Sequence, residues 1–418
     1  MANVTRLQPK KPQRQLAAGF AGLVSRIFRA QSLEFKAVIS ITTVLLVFGL
    51  VMVLSSSSID SIKVNGDNAY TIFLKQFGSG LLGFAAMAGI SILPSMFFSK
   101  FARVAYVGAI AFQLTTFIPG LGVNVNGNRS WIRIAGLSIQ PAELLKIALI
   151  LFLADYFSRN ANRIDDQKNY TWKALFFAVI AFAPVLAGSD MGTTIVMGII
   201  TMLMIWLSGV PGWHMRLPLV GAGVVTFIAL FGSTSRFPRI TAWLFQASDT
   251  SSAYAWQSQH GMWALAAGQI FGVGLGMSKL KWSWIPEVEN DYIFAIIGEE
   301  LGLVGAVFTI ALFIALGYFL VRIALRCQTL FTRMSTLGIA VWITMQAFIN
   351  IAVVLQVLPV LGVPLPLISS GGTSLVAGLV AIGICLSFER ENHAVLGVAQ
   401  PRVRAGRPTS MATPRSRR

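Results

Sequence analysis

Long apolar runs, separated by shorter polar segments, occupy the chain from about residue 37 to about residue 388. A transmembrane helix needs about 20 mostly apolar residues, within a range of about 17–25. By this measure the pattern predicts ten spans, at roughly 37–54, 77–97, 101–120, 141–157, 172–188, 190–208, 215–232, 291–320, 335–358 and 372–388. We therefore predict an all-α polytopic membrane protein with about ten transmembrane helices.

The composition supports a membrane protein and excludes several other classes. The chain is 55% hydrophobic and only 12% charged, whereas soluble domains carry about 25% charged residues. Its net charge of +17 would suit nucleic acid, but most basic residues lie in the tails and in short loops between apolar runs. We therefore predict no nucleic-acid partner. Two cysteines cannot define a disulfide framework, and three widely separated histidines match no metal-ligand spacing.

The distribution of basic residues predicts the orientation in the membrane. Of the 33 Lys and Arg residues, 24 fall on the side of the two termini, and basic loops tend to stay in the cytoplasm. Both termini are therefore predicted to be cytoplasmic, with residues 1–36 and 389–418 as basic, disordered tails. Residues 37–388 then form the transmembrane domain, in which a long extracytoplasmic loop, 233–290, joins spans 7 and 8.

Three outer segments, 121–140, 233–290 and 358–371, are predicted to face the same side and to build one site. The end of the long loop leads into IPEVENDYIFAIIGEELG, residues 285–302, which holds five of the chain's sixteen acidic residues. Within it, Asp291 stands where the eighth span begins.

Asp291 has two interpretations, as an N-cap of the eighth helix or as a functional carboxylate at its mouth. Glu299 would lie roughly 12 Å deeper, and an unpaired carboxylate there is costly. At about 100° per residue, Glu300 points away from Asp291, so the two glutamates should not share one partner. The face of Asp291 would carry small residues: Ala295, Gly298, Gly302 and Gly305. Glu287 and Glu289 are interpreted as charges on the rim.

Further candidates lie at the starts of the fourth and sixth spans. QPAELLKIAL opens the fourth span, and Glu143 and Lys146 lie three residues apart on one helix face. They form either a local ion pair that anchors the helix, or a site in which Lys146 meets an anionic substrate or a glutamate of the eighth span. Asp190, between the fifth and sixth spans, either caps the sixth helix or lines the site.

Anion binding is the chemistry suggested by the remaining outer motifs. ISSGGTS, residues 368–374, either is a bare turn or presents backbone N–H groups to a phosphate. Arg129 in NGNRSW either clamps a diphosphate or lies at the membrane interface. GVGLG, with Gly272, Gly274 and Gly276, imitates a dinucleotide-binding fingerprint, but it lacks the strand–helix context and is rejected as one.

Taken together, these segments resemble the SEDS family (shape, elongation, division and sporulation), the polytopic peptidoglycan polymerases that include FtsW and RodA. The resemblance is carried by NGNRSWIRIAGLSIQPAELLKIAL, SDMGTTIV, GQIFGVGLGMSKLKWSWIPEVENDYIFAIIGEELGLVGA and LPLISSGGTS, in family order over about 40–390. IIGEELG is more similar to the FtsW branch, and GGTS to its actinobacterial members. The chain departs from the family at Ser189, often proline, and at Tyr292, usually phenylalanine.

The resemblance implies a glycosyltransferase that polymerises lipid II at the outer face of the bacterial cytoplasmic membrane, at the division septum. Asp291 matches the essential aspartate of the family and would act as general base in an inverting displacement. Candidates for binding substrate and its diphosphate are Arg129, Glu143, Lys146, Asp190, Lys279, Glu299, Ser369, Ser370, Gly371 and Gly372. No resident cofactor or protein metal site is predicted, and a divalent cation such as Mg or Mn with the diphosphate is left open.

The partners implied by the resemblance are lipid II, the growing glycan chain, a class B penicillin-binding protein transpeptidase and other divisome membrane proteins. Three alternatives remain at this stage. The chain could be a lipid II flippase, for which Glu299, Glu300 and Lys146 give charges at depth, although no internal repeat is evident. It could also be a RodA-like elongation polymerase or a noncatalytic division scaffold.

Overall fold

The computed structural model describes residues 32–65, 70–125, 127–134, 137–163, 167–231, 243, 253–279 and 288–399. Those residues contain eleven α-helices: α1 (Leu33–Asn65), α2 (Thr71–Ile90), α3 (Ser95–Leu114), α4 (Pro141–Arg159), α5 (Gln167–Ala187), α6 (Met191–Leu207), α7 (Gly212–Phe231), α8 (Ala253–Gly268), α9 (Ile293–Arg326), α10 (Leu330–Val354) and α11 (Gly372–Ala399). The prediction of a helical, polytopic protein is confirmed. Ten of these helices coincide with the predicted spans, while α8 lies in the long loop and was not predicted.

Within the part of the chain that the structure describes, six helical stretches are long and apolar enough to cross a membrane. They are Leu33–Ser58, Thr71–Ile90, Tyr170–Ala187, Ile293–Arg326, Leu330–Val354 and Gly372–His393. The α6 helix is apolar but shorter, and α4 carries Glu143, Lys146 and Asp155 along its length. Ten spans with both termini in the cytoplasm therefore stays a prediction.

The C-terminal helix extends beyond the predicted start of the C-terminal tail. Helix α11 continues to Ala399, and Glu389 and Asn392 are buried. Glu389 lies 3.7 Å from Arg326 at the end of α9, so the boundary at residue 389 is too early. Residues 1–31 and 400–418 of the two predicted tails lie outside the described residues.

A small antiparallel sheet occupies segment 121–140, where no strands were predicted. Its order is β1 (Gly122–Val125), β2 (Asn128–Ile134) and β3 (Leu137–Ile139). The missed signal is the dipeptide Asn-Gly at 126–127 between two alternating runs, which is typical of a hairpin. The sheet is fixed to the chain before α6, because the amide of Arg129 donates to the carbonyl of Gly188 at 2.8 Å.

Helix α9 is broken near its middle by Gly302, which has φ 67° and ψ −162°. This region of backbone space is essentially restricted to glycine. A Cβ atom at Gly302 would lie only 2.4 Å from the amide of Gly272 and from the carbonyl of Ile270. The prediction of one continuous face from Asp291 to Gly305 is therefore wrong, since the helix starts at Ile293 and is interrupted at Gly302.

The backbone groups released by this break are satisfied by the loop after α8, residues 269–279, which we call the clasp loop. The carbonyls of Glu299 and Glu300 accept from the amides of Val273 and Gly274 at 2.9 and 3.0 Å. On the far side of Gly302, the amides of Leu303 and Val304 donate to the carbonyls of Gln269 and Ile270, at 2.9 and 3.2 Å respectively. Irregular backbone inside a membrane domain is tolerated where protein groups pair with it in this way.

The glycines of GVGLG have a conformational role in the clasp loop. Gly272, Gly274 and Gly276 all have positive φ, of 81°, 104° and 77°, which side chains with a Cβ rarely adopt. Gly272 also lies against the carbonyl of Glu300, 2.2 Å from the position of a Cβ. The motif therefore builds the turns that close around the kink of α9.

Gly302→Ala is expected to destabilise the fold, because the new methyl group meets backbone on two sides and the dihedral angles suit glycine only. The cost should be at least about 1–3 kcal/mol, seen as a lower midpoint of thermal unfolding in detergent. Gly198→Ala is the matched control, since Gly198 is in α6 with no atom within 4 Å of its Cβ position. That variant should be neutral or gain up to about 1 kcal/mol. Equal thermal midpoints for the two variants would contradict the claim that the clasp loop requires glycine at residue 302.

Candidate functional site

Asp291 lies in the turn directly before α9, and its side chain is half-buried. The N-cap position is occupied by Tyr292, and α9 begins at Ile293, so the N-cap interpretation of Asp291 is wrong by one residue. The carboxylate faces the segment 358–371, because a Cβ atom at Gly362 would lie 3.6 Å from Asp291 Oδ2. Gly362 itself has φ 69°, so the chain turns at the point where it passes the carboxylate.

Asn350 of α10 connects these two elements through its side-chain amide. Its Nδ2 donates to the carbonyl of Asp291 at 2.7 Å and to the carbonyl of Val363 at 2.8 Å. Asn350 is only 1% exposed, so neither bond competes with bulk water. Asn350 was not among the predicted site residues, because a single amide in an apolar helix gives no local signal.

Lys146 and Glu143 form a buried ion pair at the start of α4. Lys146 Nζ lies 2.8 Å from Glu143 Oε1 and donates to Gln346 Oε1 at 2.9 Å. The ammonium group also lies 4.7 Å from the centre of the Trp342 ring, a favourable cation–π distance. The ion-pair interpretation is confirmed, whereas the prediction that Lys146 meets a glutamate of the eighth span is wrong.

Glu299 and Glu300 contact different elements, as their helix positions predicted. Glu299 accepts from the hydroxyl of Ser278 and, at 2.9 Å, from the amide of Lys279. Glu300 accepts from the hydroxyl of Ser55 in α1 through both carboxylate oxygens, at 2.6 and 2.8 Å. Glu299 therefore fixes the end of the clasp loop, and Glu300 fixes α1 against α9.

Asp190 caps α6 and binds the chain before α4. Its Oδ1 accepts from the amide of Thr193 at 3.0 Å, and its Oδ2 accepts from Gln140 Nε2 at 2.9 Å. The capping interpretation is thereby confirmed. Ser189 before it has φ 67°, a value that a proline ring cannot adopt. The backbone at Ser189 therefore excludes the proline that the resembled family often has there.

The segment ISSGGTS offers fewer backbone donors than its sequence suggested. The amide of Ser370 donates to the carbonyl of Glu289 at 2.8 Å, and that of Ser369 to the carbonyl of Leu365 at 3.0 Å. The Ser369 hydroxyl accepts from the Leu365 amide at 2.8 Å. The interpretation in which ISSGGTS presents its backbone N–H groups to a phosphate is therefore wrong at Ser369 and Ser370. The amides from Gly372 onward belong to the first turn of α11, where N–H groups have no acceptor within a helix.

Arg129 and Lys279 carry the exposed basic side chains among the predicted site residues. Arg129 lies on β2, whose backbone is bonded to Gly188 close to the Asp190 cap. Lys279 ends the clasp loop and is held through its amide by Glu299. Both side chains can approach an anion from outside the helical domain. Glu287, predicted as a rim charge, lies outside the described residues.

Tyr292 packs directly beside Asp291 and is fully buried. Its hydroxyl lies 3.3 Å from the hydroxyl of Ser258 in α8, so a hydrogen bond joins α8 to the start of α9. Tyr292→Phe should lower the free energy of unfolding by about 0.5–1.5 kcal/mol, the net value of one hydrogen bond. An unchanged chemical-denaturation midpoint in Tyr292→Phe would contradict a bond between the two hydroxyls. So would losses of stability in Tyr292→Phe and Ser258→Ala that simply add in the double variant.

No group of three or more His, Cys, Asp or Glu side chains is arranged to hold a metal ion among the residues that the structure describes. The acidic groups instead form ion pairs or hydrogen bonds with protein. The arrangement is a carboxylate, Asp291, in the turn before α9, with exposed basic side chains on β2 and at the end of the clasp loop. Such an arrangement suits proton abstraction beside an anionic leaving group.

The model of the FtsW/RodA/SpoVE cell cycle protein family matches residues 36–394 of this chain. The chain belongs to this family. The FtsW/RodA/SpoVE assignment agrees with individual relatives. The protein named probable peptidoglycan glycosyltransferase FtsW of Mycobacterium tuberculosis is 36% identical over 377 residues, which cover 90% of this chain and 70% of that protein. Stage V sporulation protein E of Bacillus subtilis is 33% identical over 351 residues, covering 84% of this chain and 95% of that protein.

Solved structures support the FtsW/RodA/SpoVE fold. A chain from a peptidoglycan synthase complex that coordinates polymerization and crosslinking superposes with a TM-score of 0.70 at 22% identity, covering 88% of this chain and 99% of that chain. The rod shape determining protein RodA of Thermus thermophilus superposes with a TM-score of 0.64 over the same shares, also at 22% identity.

Proposed function

We propose that this chain is a peptidoglycan glycosyltransferase that polymerises lipid II into glycan strands at the outer face of the cytoplasmic membrane. One observation carries the proposal: Asp291 stands at the mouth of α9, held through its backbone by Asn350 and faced by Gly362. The relatives named as probable peptidoglycan glycosyltransferases, with 36% identity over 90% of this chain, support the reaction class.

In the proposed reaction, Asp291 takes the proton from a sugar hydroxyl of the acceptor as that oxygen attacks the anomeric carbon of the donor chain. The bond from that carbon to the undecaprenyl diphosphate breaks, and the diphosphate leaves with the electron pair. A single displacement with one general base inverts the configuration. A hydroxyl is a poor nucleophile, so a positioned carboxylate contributes about 10²- to 10⁴-fold.

The leaving diphosphate needs positive charge or oriented donors. Arg129, Lys279 and the amides of the first turn of α11 are the groups proposed for this role, because the basic side chains are exposed and the amides begin a helix. Lys146 and Glu143 are proposed to support the site indirectly. Lys146 binds Gln346, and Gln346 in turn donates to the carbonyl of Pro364 in segment 358–371. A divalent cation such as Mg or Mn would enter with the diphosphate, whose oxygens are ligands that these ions prefer.

Septal synthesis with a transpeptidase partner completes the proposal. The FtsW relatives support a division role, and a fold shared with a chain of a peptidoglycan synthase complex supports assembly with a class B penicillin-binding protein. Membership of the divisome and location at the septum belong to the same proposal. Filamentous cells after depletion would support the division role, and rounded cells would indicate the RodA-like elongation role.

The reaction is tested with purified protein and its partner transpeptidase in vesicles that carry labelled lipid II. We expect glycan strands that a muramidase digests. Lipid II that crosses the bilayer without forming polymer would indicate a flippase, and the absence of both activities from folded protein would indicate a scaffold. The charges that favoured a flippase, Glu299, Glu300 and Lys146, all have protein partners in the structure.

A further inference from the structure

Two amide side chains on α10, Gln346 and Asn350, lie one helical turn apart on the same face. Each donates to a carbonyl of the outer segment 358–371. Gln346 Nε2 donates to Pro364 at 3.0 Å, and Asn350 Nδ2 donates to Val363 at 2.8 Å. Both side chains are 1% exposed. The outer segment is therefore held to α10 at two successive residues.

Only Asn350 also reaches the turn before α9. Its second N–H donates to the carbonyl of Asp291 at 2.7 Å, so one planar amide binds two chain segments at once. A carboxylate in this place would have the same shape but no N–H to donate. The contact is with the backbone of Asp291, whose side chain is left to face Gly362.

The consequence is a fixed distance between the Asp291 carboxylate and the outer segment. Val363 is bonded to Asn350, and its neighbour Gly362 passes Asp291 Oδ2 with 3.6 Å to the position of a Cβ atom. The turn at Gly362, with φ 69°, brings the backbone to this point. Without the amide of Asn350, neither the Asp291 turn nor residue 363 would be tied to α10 by these bonds.

We propose that Asn350 is a positioning residue, which sets the place of the Asp291 carboxylate relative to the segment around Gly362. This inference rests on the proposed function of Asp291 as general base. A displacement of about 1 Å in a reacting group can cost about 10²-fold in rate. Loss of the Asn350 donors should therefore reduce turnover more than substrate binding.

The test compares variants of the full chain with its partner transpeptidase, measuring kcat and KM for lipid II together with the thermal midpoint. Asn350→Asp removes both donors at constant shape, and Asn350→His restores one N–H donor. Thr344→Val is the matched control on α10, because the Thr344 hydroxyl donates within its own helix to the carbonyl of Ala340. Gly362→Ala probes the same distance from the exposed side; because Gly362 has φ 69°, which strains a residue with a Cβ, its thermal midpoint is measured beside its kcat.

We expect Asn350→Asp to lower kcat by about 10- to 100-fold with little change in KM. Asn350→His should recover part of this loss. Thr344→Val should match the wild type. Gly362→Ala should also lower kcat, which keeps the test valid if Asn350→Asp does not fold. Wild-type kcat in both Asn350→Asp and Gly362→Ala, or a rise in KM alone, would overturn the proposal. If Thr344→Val loses as much kcat as Asn350→Asp, in step with a lower thermal midpoint, the losses reflect stability alone and the proposal is also overturned.

Failure of the proposed function gives a different result. If Asp291→Asn polymerises lipid II at the wild-type rate, Asp291 is not the general base, whatever the Asn350 variants do. If Asp291→Asn is inactive while Asn350→Asp and Gly362→Ala are fully active, the general base stands and only the positioning role falls.

Discussion

Asp291→Asn is expected to lower the rate of glycan polymerisation by about 10²- to 10⁴-fold, the usual contribution of a general base. Asparagine keeps the size of the side chain but cannot accept the hydroxyl proton. The backbone carbonyl that accepts from Asn350 is unchanged, so the turn should stay in place. The rate is measured as labelled polymer formed from lipid II by purified protein with its partner transpeptidase.

Glu289→Gln is the matched control for this variant, since Glu289 lies two residues before Asp291 in the same turn. It removes one negative charge from the region and leaves the backbone contact of Glu289 with Ser370 intact. We expect nearly wild-type polymerisation. Equal losses in the two variants would mean that the rate depends on local charge and not on a base at residue 291.

Lys146→Ala is expected to lower the free energy of unfolding by about 3–5 kcal/mol, because it leaves Glu143 as a buried charge without its counter-ion. Both residues are 1% exposed, so water cannot replace the lost partner. Gln346 would also lose its contact with the ammonium group. The activity of Lys146→Ala should therefore fall more than that of Glu289→Ala, and the measurement is thermal and denaturant unfolding beside the polymerisation rate.

The double variant Glu143→Gln with Lys146→Met separates lost charge balance from lost substrate contact. It removes both charges at similar volume, and replacing a whole buried ion pair is often neutral or stabilising. We expect much of the stability lost in Lys146→Ala to return, together with activity. A stable double variant that makes no polymer would instead assign Lys146 a direct contact with substrate.

The helices could be predicted because apolar periodicity is a local property of the chain. Every predicted span has a helix in the structure, and the spacing of Glu143 and Lys146 on α4 gave their ion pair as one of two interpretations. The different partners of Glu299 and Glu300 also followed from helix geometry. These features depend on residues within one or two turns of each other, which the sequence displays directly.

The remaining features depend on contacts between distant segments. The break at Gly302 is stable only because the clasp loop, about 30 residues earlier in the sequence, satisfies the free backbone groups. A continuous helix was the natural expectation for IIGEELGLVGA. Asn350 looks like an ordinary polar residue in an apolar helix until the structure places the carbonyls of Asp291 and Val363 beside it. The sheet is an exception, because the Asn-Gly dipeptide at 126–127 is a local signal for a hairpin.

Rescue by a small carboxylate tests most directly whether Asp291 is the general base. Asp291→Ala leaves space for formate beside Gly362, and polymerisation is followed as formate concentration is raised at constant pH and ionic strength. We predict an inactive variant whose rate rises with formate, while Asp190→Ala, which loses the α6 cap, shows no such response. Full activity of Asp291→Ala without formate, or a folded, inactive variant that no formate concentration restores, would contradict the assignment.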